Sequence, residues 1–254
     1  MPLFTDPLKE IDAASVKEYA QQRGAEELSD DIVNEACQRV MELAKPKASC
    51  QQCFYDNTSH MVLCDNPFTV SSQRARQLIE DSAIVLMYAV TLGEAVEQEI
   101  DKLFMDKEIT RGLALDSAVA VATANYTKQL IDTLDEASAD KGYKAVWAMS
   151  PGTGDWPVGQ TANIAKAVHA EQMGVSLLPS GMLMPRKTVA GMIGLNIADG
   201  GCSTCGGSCG GCAMAGHCGE YKYPLARVSP IYQYIKGPAT LVAGPFCYGV
   251  IQFI

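Results

Sequence analysis

The sequence predicts an α+β protein. Three observations predict it. Segments with helical spacing of apolar residues are interspersed with short apolar runs carrying β-branched residues, the two kinds follow no regular strand–helix–strand order, and no internal repeat is present. The chain has 254 residues, 48% of them hydrophobic, enough for a well-buried core in one large domain or two small ones.

The first strong signal is a helix over 26–44. Ser29 is a good N-cap, and Asp30 and Asp31 suit the positive end of the helix dipole. Ile32, Ala36, Val40 and Leu43 share one face, and Pro46 helps end the helix. The stretch "CQQCFYDNTSHMVLCDNPFTV" reads as irregular at first and strand-like near Met61–Cys64. Ser71 or Ser72 is placed to cap a short helix running to Ile79. "SAIVLMYAVTLG", Ser82–Gly93, is continuously apolar and short, as a buried strand is. A helix follows over 94–105 with Val96, Ile100, Leu103 and Phe104 inward. A longer one spans 111–137, and its alanine-rich half "LALDSAVAVATANY" predicts tight packing on another element.

"KAVWAMS" reads as a strand that ends at Ser150 in the turn "SPGTGDWP". Residues 160–173 read as one helix with Ile164, Ala167 and Val168 facing the core. "VSLLPSGMLMP" and "KTVAGMIGLNIA" read as two further short strands, and the closing stretch "ATLVAGPFCYGVIQFI" is β-like. The division expected is a domain over 1–198 and a Cys/Gly-rich segment with its tail over 199–254.

Composition excludes some functions. The net charge is −9 and no dense Lys/Arg stretch exists, which argues against nucleic-acid binding. "MPLFTDPLKEIDAAS" has no basic region followed by an apolar run, so it is not read as a signal peptide, and no apolar stretch is long enough to span a membrane. The expectation is a cytoplasmic protein, where ten cysteines suggest metal or redox chemistry more than disulfides. His60, His169 and His217 are the only histidines. There is no P-loop, no dinucleotide-binding glycine motif and no nucleophile elbow.

Five of the ten cysteines lie in "GGCSTCGGSCGGCAMAGHCG". Cys202, Cys205, Cys209 and Cys212 give C-x2-C-x3-C-x2-C, and Cys218 follows. Several thiolates in one short loop suit an iron–sulfur cluster, and glycine allows the sharp turns and free amides such a loop uses. A 4Fe–4S cluster is the favoured reading. Zinc is the alternative, although the cysteine pairs of a zinc ribbon are more widely separated. The bland alternative is a reduced, metal-free glycine loop. Cys50, Cys53 and Cys64 form a weaker set that could supply a remote ligand or a second redox site. Cys37 and Cys247 read as buried, inert thiols.

In "VWAMSPGTGDWPVGQ", Pro151 stiffens the turn after Ser150, and Gly152 and Gly154 allow a ligand close to the backbone. Thr153 lies between them. Asp155 could bind a ligand amine or make an Asx-type turn, and Trp156 could stack on a flat ligand or pack beneath the turn. Lys187, with Arg186, could meet an anionic group or be a solvated basic pair.

From about Arg74 to Leu195, "SAIVLMYAVTLGEAVEQEI", "LALDSAVAVATANY", "SPGTGDWPVGQ" and "GVSLLPSGMLMPRKTVAGMIGL", followed by the cysteine cluster, resemble the activation (reactivation) domain of cobalamin-dependent methionine synthase. The stand-alone relatives of that domain, found largely in anaerobic prokaryotes, are more similar still. The resemblance implies a curved antiparallel sheet flanked by helices. It also implies a part in reductive activation of a corrinoid, cobalamin, on a partner methyltransferase or corrinoid protein. In the family, S-adenosylmethionine (SAM) is touched by the arginine and tyrosine of R-x-S-P-G-Y-G, and here those positions are Ala148 and Thr153. The loss of an arginine fork speaks against SAM binding, while Gly152 and Gly154 keep the backbone approach. The acidic residue the family tends to carry in the long helix is absent from "VAVATANY", and an aromatic is replaced at Met192 or Ile193. The implied role is therefore electron donation through the cluster. The alternatives are a zinc-stabilised binding module and a SAM-binding protein with altered contacts.

Overall fold

The computed structural model describes residues 3–25 and 28–198. The cysteines Cys202–Cys218 and the closing β-like stretch lie outside the described residues.

The main sheet has five strands, β1 (Leu3–Phe4), β2 (Lys47–Gln52), β6 (Ile84–Thr91), β7 (Tyr143–Met149) and β10 (Val189–Ile197). They lie in the order β1-β2-β6-β10-β7, and every neighbouring pair is antiparallel. β3 (Phe54–Asp56), β4 (Met61–Leu63) and β5 (Phe68–Thr69) make a second, three-stranded sheet. β8 (Ser176–Leu177) and β9 (Leu183–Met184) form a small hairpin inside the stretch read as one strand. The helices are α1 (Ala13–Gln22), α2 (Asp30–Leu43), α3 (Gln73–Glu80), α4 (Ala95–Met105), α5 (Ile109–Ala139) and α6 (Thr161–Ala167). The architecture is α+β with antiparallel sheets flanked by helices, as the sequence predicts.

Side chains on a strand alternate between faces, so β6 divides its residues between two cores. Leu86, Tyr88 and Val90 join a cluster with Val16, Val33, Val40, Ile100, Leu115 and Ala118 from α1, α2, α4 and α5. Val85, Met87 and Ala89 join another with Val62, Ile79, Ile164 and Trp156 from the second sheet, α3, α6 and the glycine turn. Burial on both faces explains why β6 is a continuous apolar run rather than an alternating one.

The helices follow from local chemistry. Ser29 caps α2 by accepting the Ile32 N–H, with Asp30 and Asp31 in the first turn. Ala36 and Val40 are buried as expected, Ile32 and Leu43 pack partly buried against the same core, and Val33 joins them. α5 runs 31 residues, about 46 Å at 1.5 Å per residue, and buries Ala114, Ala118 and Ala122. Small side chains there let α1, α2 and α4 approach closely. In α4, Val96 and Ile100 are buried as expected, but Phe104 is partly exposed and lies across Gly112, where an added Cβ would stand 2.9 Å from its ring. Glu97 takes the inward position instead.

Two further expectations change. The segment around Cys50, read as irregular, is β2, paired along its length with β6. Its glutamines hide the strand, and pairing with an apolar neighbour creates it. The helix expected over 160–173 is interrupted. A single 3-10 turn (Val158–Gln160) leads into α6, and His169 adopts a left-handed φ of 53° before another short turn. The buried Ser49 hydroxyl donates to the Val168 carbonyl at 2.7 Å, which fastens the break to the sheet.

Candidate functional site

The glycine turn sits at the end of β7, next to the middle of β10. Gly152 and Gly154 have φ of 94° and 57°, a region that L side chains rarely adopt, so both positions need glycine. The loop closes on itself: the Gly152 N–H donates to Trp156 O at 2.7 Å, and Trp156 N–H to Thr153 O at 3.0 Å. The Thr153 hydroxyl donates to Ser150 O at 2.6 Å. Pro151 and Trp156 are buried beneath the turn, while Gly152, Thr153, Gly154 and Asp155 face outward.

Three polar ties hold this loop. The Ser150 hydroxyl lies 3.1 Å from the hydroxyl of Tyr88, which rises from β6 and whose burial raises its pKa. Gly191 on β10 makes room for that pair, since an added Cβ would stand 2.5 Å from Ser150 Oγ and 2.7 Å from the Tyr88 hydroxyl. Gln160 accepts the Trp156 indole N–H at 2.8 Å and the Ser71 hydroxyl at 2.8 Å, and donates to Thr69 O.

Asp155 forms the third tie. One carboxylate oxygen accepts the Ser72 hydroxyl at 2.6 Å; the other accepts the Gln73 and Arg74 amides at 2.8 and 3.3 Å. These are the first amides of α3, which lack intrahelical partners. Ser72 itself accepts the Ala75 N–H at 2.9 Å. The Ser72 hydrogen bond and these amides lower the Asp155 pKa. Of the two readings of Asp155, the structural one is therefore realised, as a cap on a helix more than eighty residues away in sequence rather than an Asx turn. Trp156 likewise packs beneath the turn, 2% exposed.

Lys187 does not join this loop through any hydrogen bond or ion pair among the described residues. Its ammonium meets Asp116 on α5 at 2.9 Å, and its N–H donates to Glu97 at 2.6 Å. Arg186 reaches Glu97 at 3.3 Å and Asp101 at 2.6 Å. The basic pair is thus neutralised by three carboxylates, neither free for an anion nor simply solvated. Glu97, 3% exposed, is the residue the sequence reading missed. Its signal was available, because position 97 stands one turn before the inward Ile100.

The weaker cysteine set is not one ligand group. Cys50 belongs to the core on the α5 side of the main sheet, and Cys53 and Cys64 to the core on the other side. The main sheet separates Cys50 from the other two, so the three thiols do not converge on one point. Among the described residues no group of three or more His, Cys, Asp and Glu side chains is placed to hold a metal ion. No helix among them is long and apolar enough to cross a membrane.

No protein-family model matches the chain, and no curated protein matches it. Among solved structures, the crystal structure of the MetH reactivation domain bound to AdoHcy is similar, with a TM-score of 0.46 and 12% sequence identity. The match covers 76% of this chain and 77% of that one. The likeness is one of overall fold.

Proposed function

We propose that this chain is an accessory protein for reductive activation of a corrinoid carried by a partner methyltransferase or corrinoid protein. The observation that carries the reading is the C-x2-C-x3-C-x2-C run with Cys218 behind it, placed after the "SPGTGDWP" and "MLMPRKTVAGMIG" blocks. The donor set fits an iron–sulfur cluster: five thiols, soft ligands for iron, in a glycine-rich segment. Cys202, Cys205, Cys209, Cys212 and Cys218 are the residues that would hold it. When bound, such a cluster supplies low-potential one-electron chemistry.

The glycine turn is a rigid, exposed platform rather than an amino-acid site. Its one ionisable side chain, Asp155, is committed to the α3 cap, and Ala148 and Thr153 bring no charge. A ligand like the AdoHcy of the MetH structure carries a zwitterionic amino-acid end, and this turn offers that end no charged partner. In this reading Ser150, Gly152, Thr153 and Gly154 present backbone to the partner.

Anaerobic purification followed by iron, sulfide and zinc analysis and electron paramagnetic resonance tests the proposal. Iron and sulfide in equal amounts, with a signal on reduction, and reduction of cob(II) to cob(I) by the reduced protein, support it. A colourless protein with stoichiometric zinc overturns the redox role and leaves a zinc-stabilised binding module.

A further inference from the structure

Cys53 and Cys64 flank the last rung of the β3–β4 ladder. That ladder pairs Phe54 with Leu63, Tyr55 with Val62 and Asp56 with Met61, and Cys53 and Cys64 are the next residues outward on the two sides. The Cys53 N–H donates to Val85 O on β6 at 2.7 Å, so it is not spent on Cys64. Continued by one ideal rung, the ladder would set Cys53 and Cys64 opposite each other as a non-hydrogen-bonded pair, in which facing Cα atoms stand about 4.5 Å apart. That spacing lies at the short end of the disulfide range. Both side chains enter the same buried cluster, so they share a face of the hairpin.

The geometry points to Cys53 and Cys64 as a dithiol–disulfide couple, a modification site that takes small-molecule disulfides such as oxidised glutathione. Cys64 is the entry point. It follows β4, between exposed Leu63 and exposed Asp65–Pro67, and its thiol donates to Asn66 O at 3.1 Å. The Cys64 thiolate attacks one sulfur of the reagent and releases one glutathione thiol, leaving a mixed disulfide. The Cys53 thiolate then attacks the Cys64 sulfur and releases the second. Two S–H bonds are lost and one S–S bond forms. The two electrons pass to the reagent, which leaves as two thiols holding the two protons. Burial raises both thiol pKa values, that of Cys53 to about 12, so exchange is slow at neutral pH and speeds up as pH rises. Cys50 takes no part, because the main sheet lies between it and the pair. The couple ties the hairpin together in the core that also holds Trp156 of the glycine turn.

The full chain, equilibrated with oxidised glutathione, alkylated and digested with trypsin, tests this. Cleavage after Lys47 and Arg74 places Cys50, Cys53 and Cys64 in one peptide, Ala48–Arg74. Alkylated after unfolding, that peptide should carry one alkyl group, on Cys50, and be lighter by two hydrogens than the reduced peptide bearing that one group, with fragmentation locating the link between Cys53 and Cys64. The link should persist in Cys50→Ala, vanish in Cys53→Ala, and raise the Tm of the wild-type chain by several degrees. Glutathione adducts without an internal link, a link through Cys50, or no change in the wild-type peptide would each overturn the proposal, and none of these depends on a variant folding.

Discussion

Asp155 of the glycine turn accepts the Ser72 hydroxyl at 2.6 Å and so ties the turn to the N-terminus of α3. The turn is held at this end by a helix and at the other by Tyr88, through Ser150. Its exposed backbone is therefore tied at both ends.

Removing the cap should loosen both parts. Ser72→Ala loses the bond to Asp155 and the bond from Ala75, at about 1 kcal/mol for a helix cap, read by urea unfolding. Asp155→Asn should also lower Tm at neutral pH. The folded pKa of Asp155 lies below its ordinary value of 3.8. Its contribution is therefore complete above that value and lost as pH falls through the folded pKa. The wild-type chain should lose more stability than Asp155→Asn on acidification below pH 3.8. Parallel acid-denaturation curves for the two would contradict this.

Two glycines of β10 are expected to be intolerant. A Cβ on Gly191 would stand 2.7 Å from the Met149 carbonyl as well as against Ser150, and one on Gly194 would collide with the Trp147 indole. Gly191→Ala and Gly194→Ala should each cost roughly 1–3 kcal/mol by overpacking, and more where backbone must shift. Gly159, with nothing within 4 Å of its added Cβ, is the control, and Gly159→Ala should be close to neutral by thermal melt.

Glu97 anchors the β9–β10 corner. Glu97→Ala leaves the Lys187 N–H and part of the Arg186 guanidinium without acceptors, which should cost roughly 1–3 kcal/mol in chemical denaturation. Arg186→Ala should cost less, because Arg186 is half exposed and Glu97 keeps the Lys187 bond.

The cluster reading makes a separate demand. Single Cys→Ser changes at 202, 205, 209 or 212 should lower iron content and visible absorption together, while Cys50→Ser should change neither. Calorimetry with SAM should show no heat for the wild-type chain. A clear isotherm would mean that the turn finds a charged partner elsewhere.

Much of the fold was legible because burial leaves a local trace. The caps at Ser29 and Ser72, the apolar run of β6 and the alanine stripe of α5 each depend on residues a few positions apart. The candidate turn was legible for the same reason, since Gly152 and Gly154 answer to their own φ angles. What each polar side chain does there was not. Asp155 finds its partners 81–83 positions away, Lys187 finds Glu97 at 90, and Ser49 meets the Val168 carbonyl at the helix break from 119.

By itself, then, the sequence determined the class of fold, most of the helices and the presence of a glycine turn and a cysteine-rich segment. The tertiary structure alone decided that β2 is a strand and that Arg186 and Lys187 are neutralised. It also set Cys50 on the opposite face of the main sheet from Cys53 and Cys64. The physical reason is range. Hydrophobic periodicity and dihedral preference act over one or two turns of chain, whereas hydrogen bonds, ion pairs and the two sides of a sheet are set by which distant segments pack together.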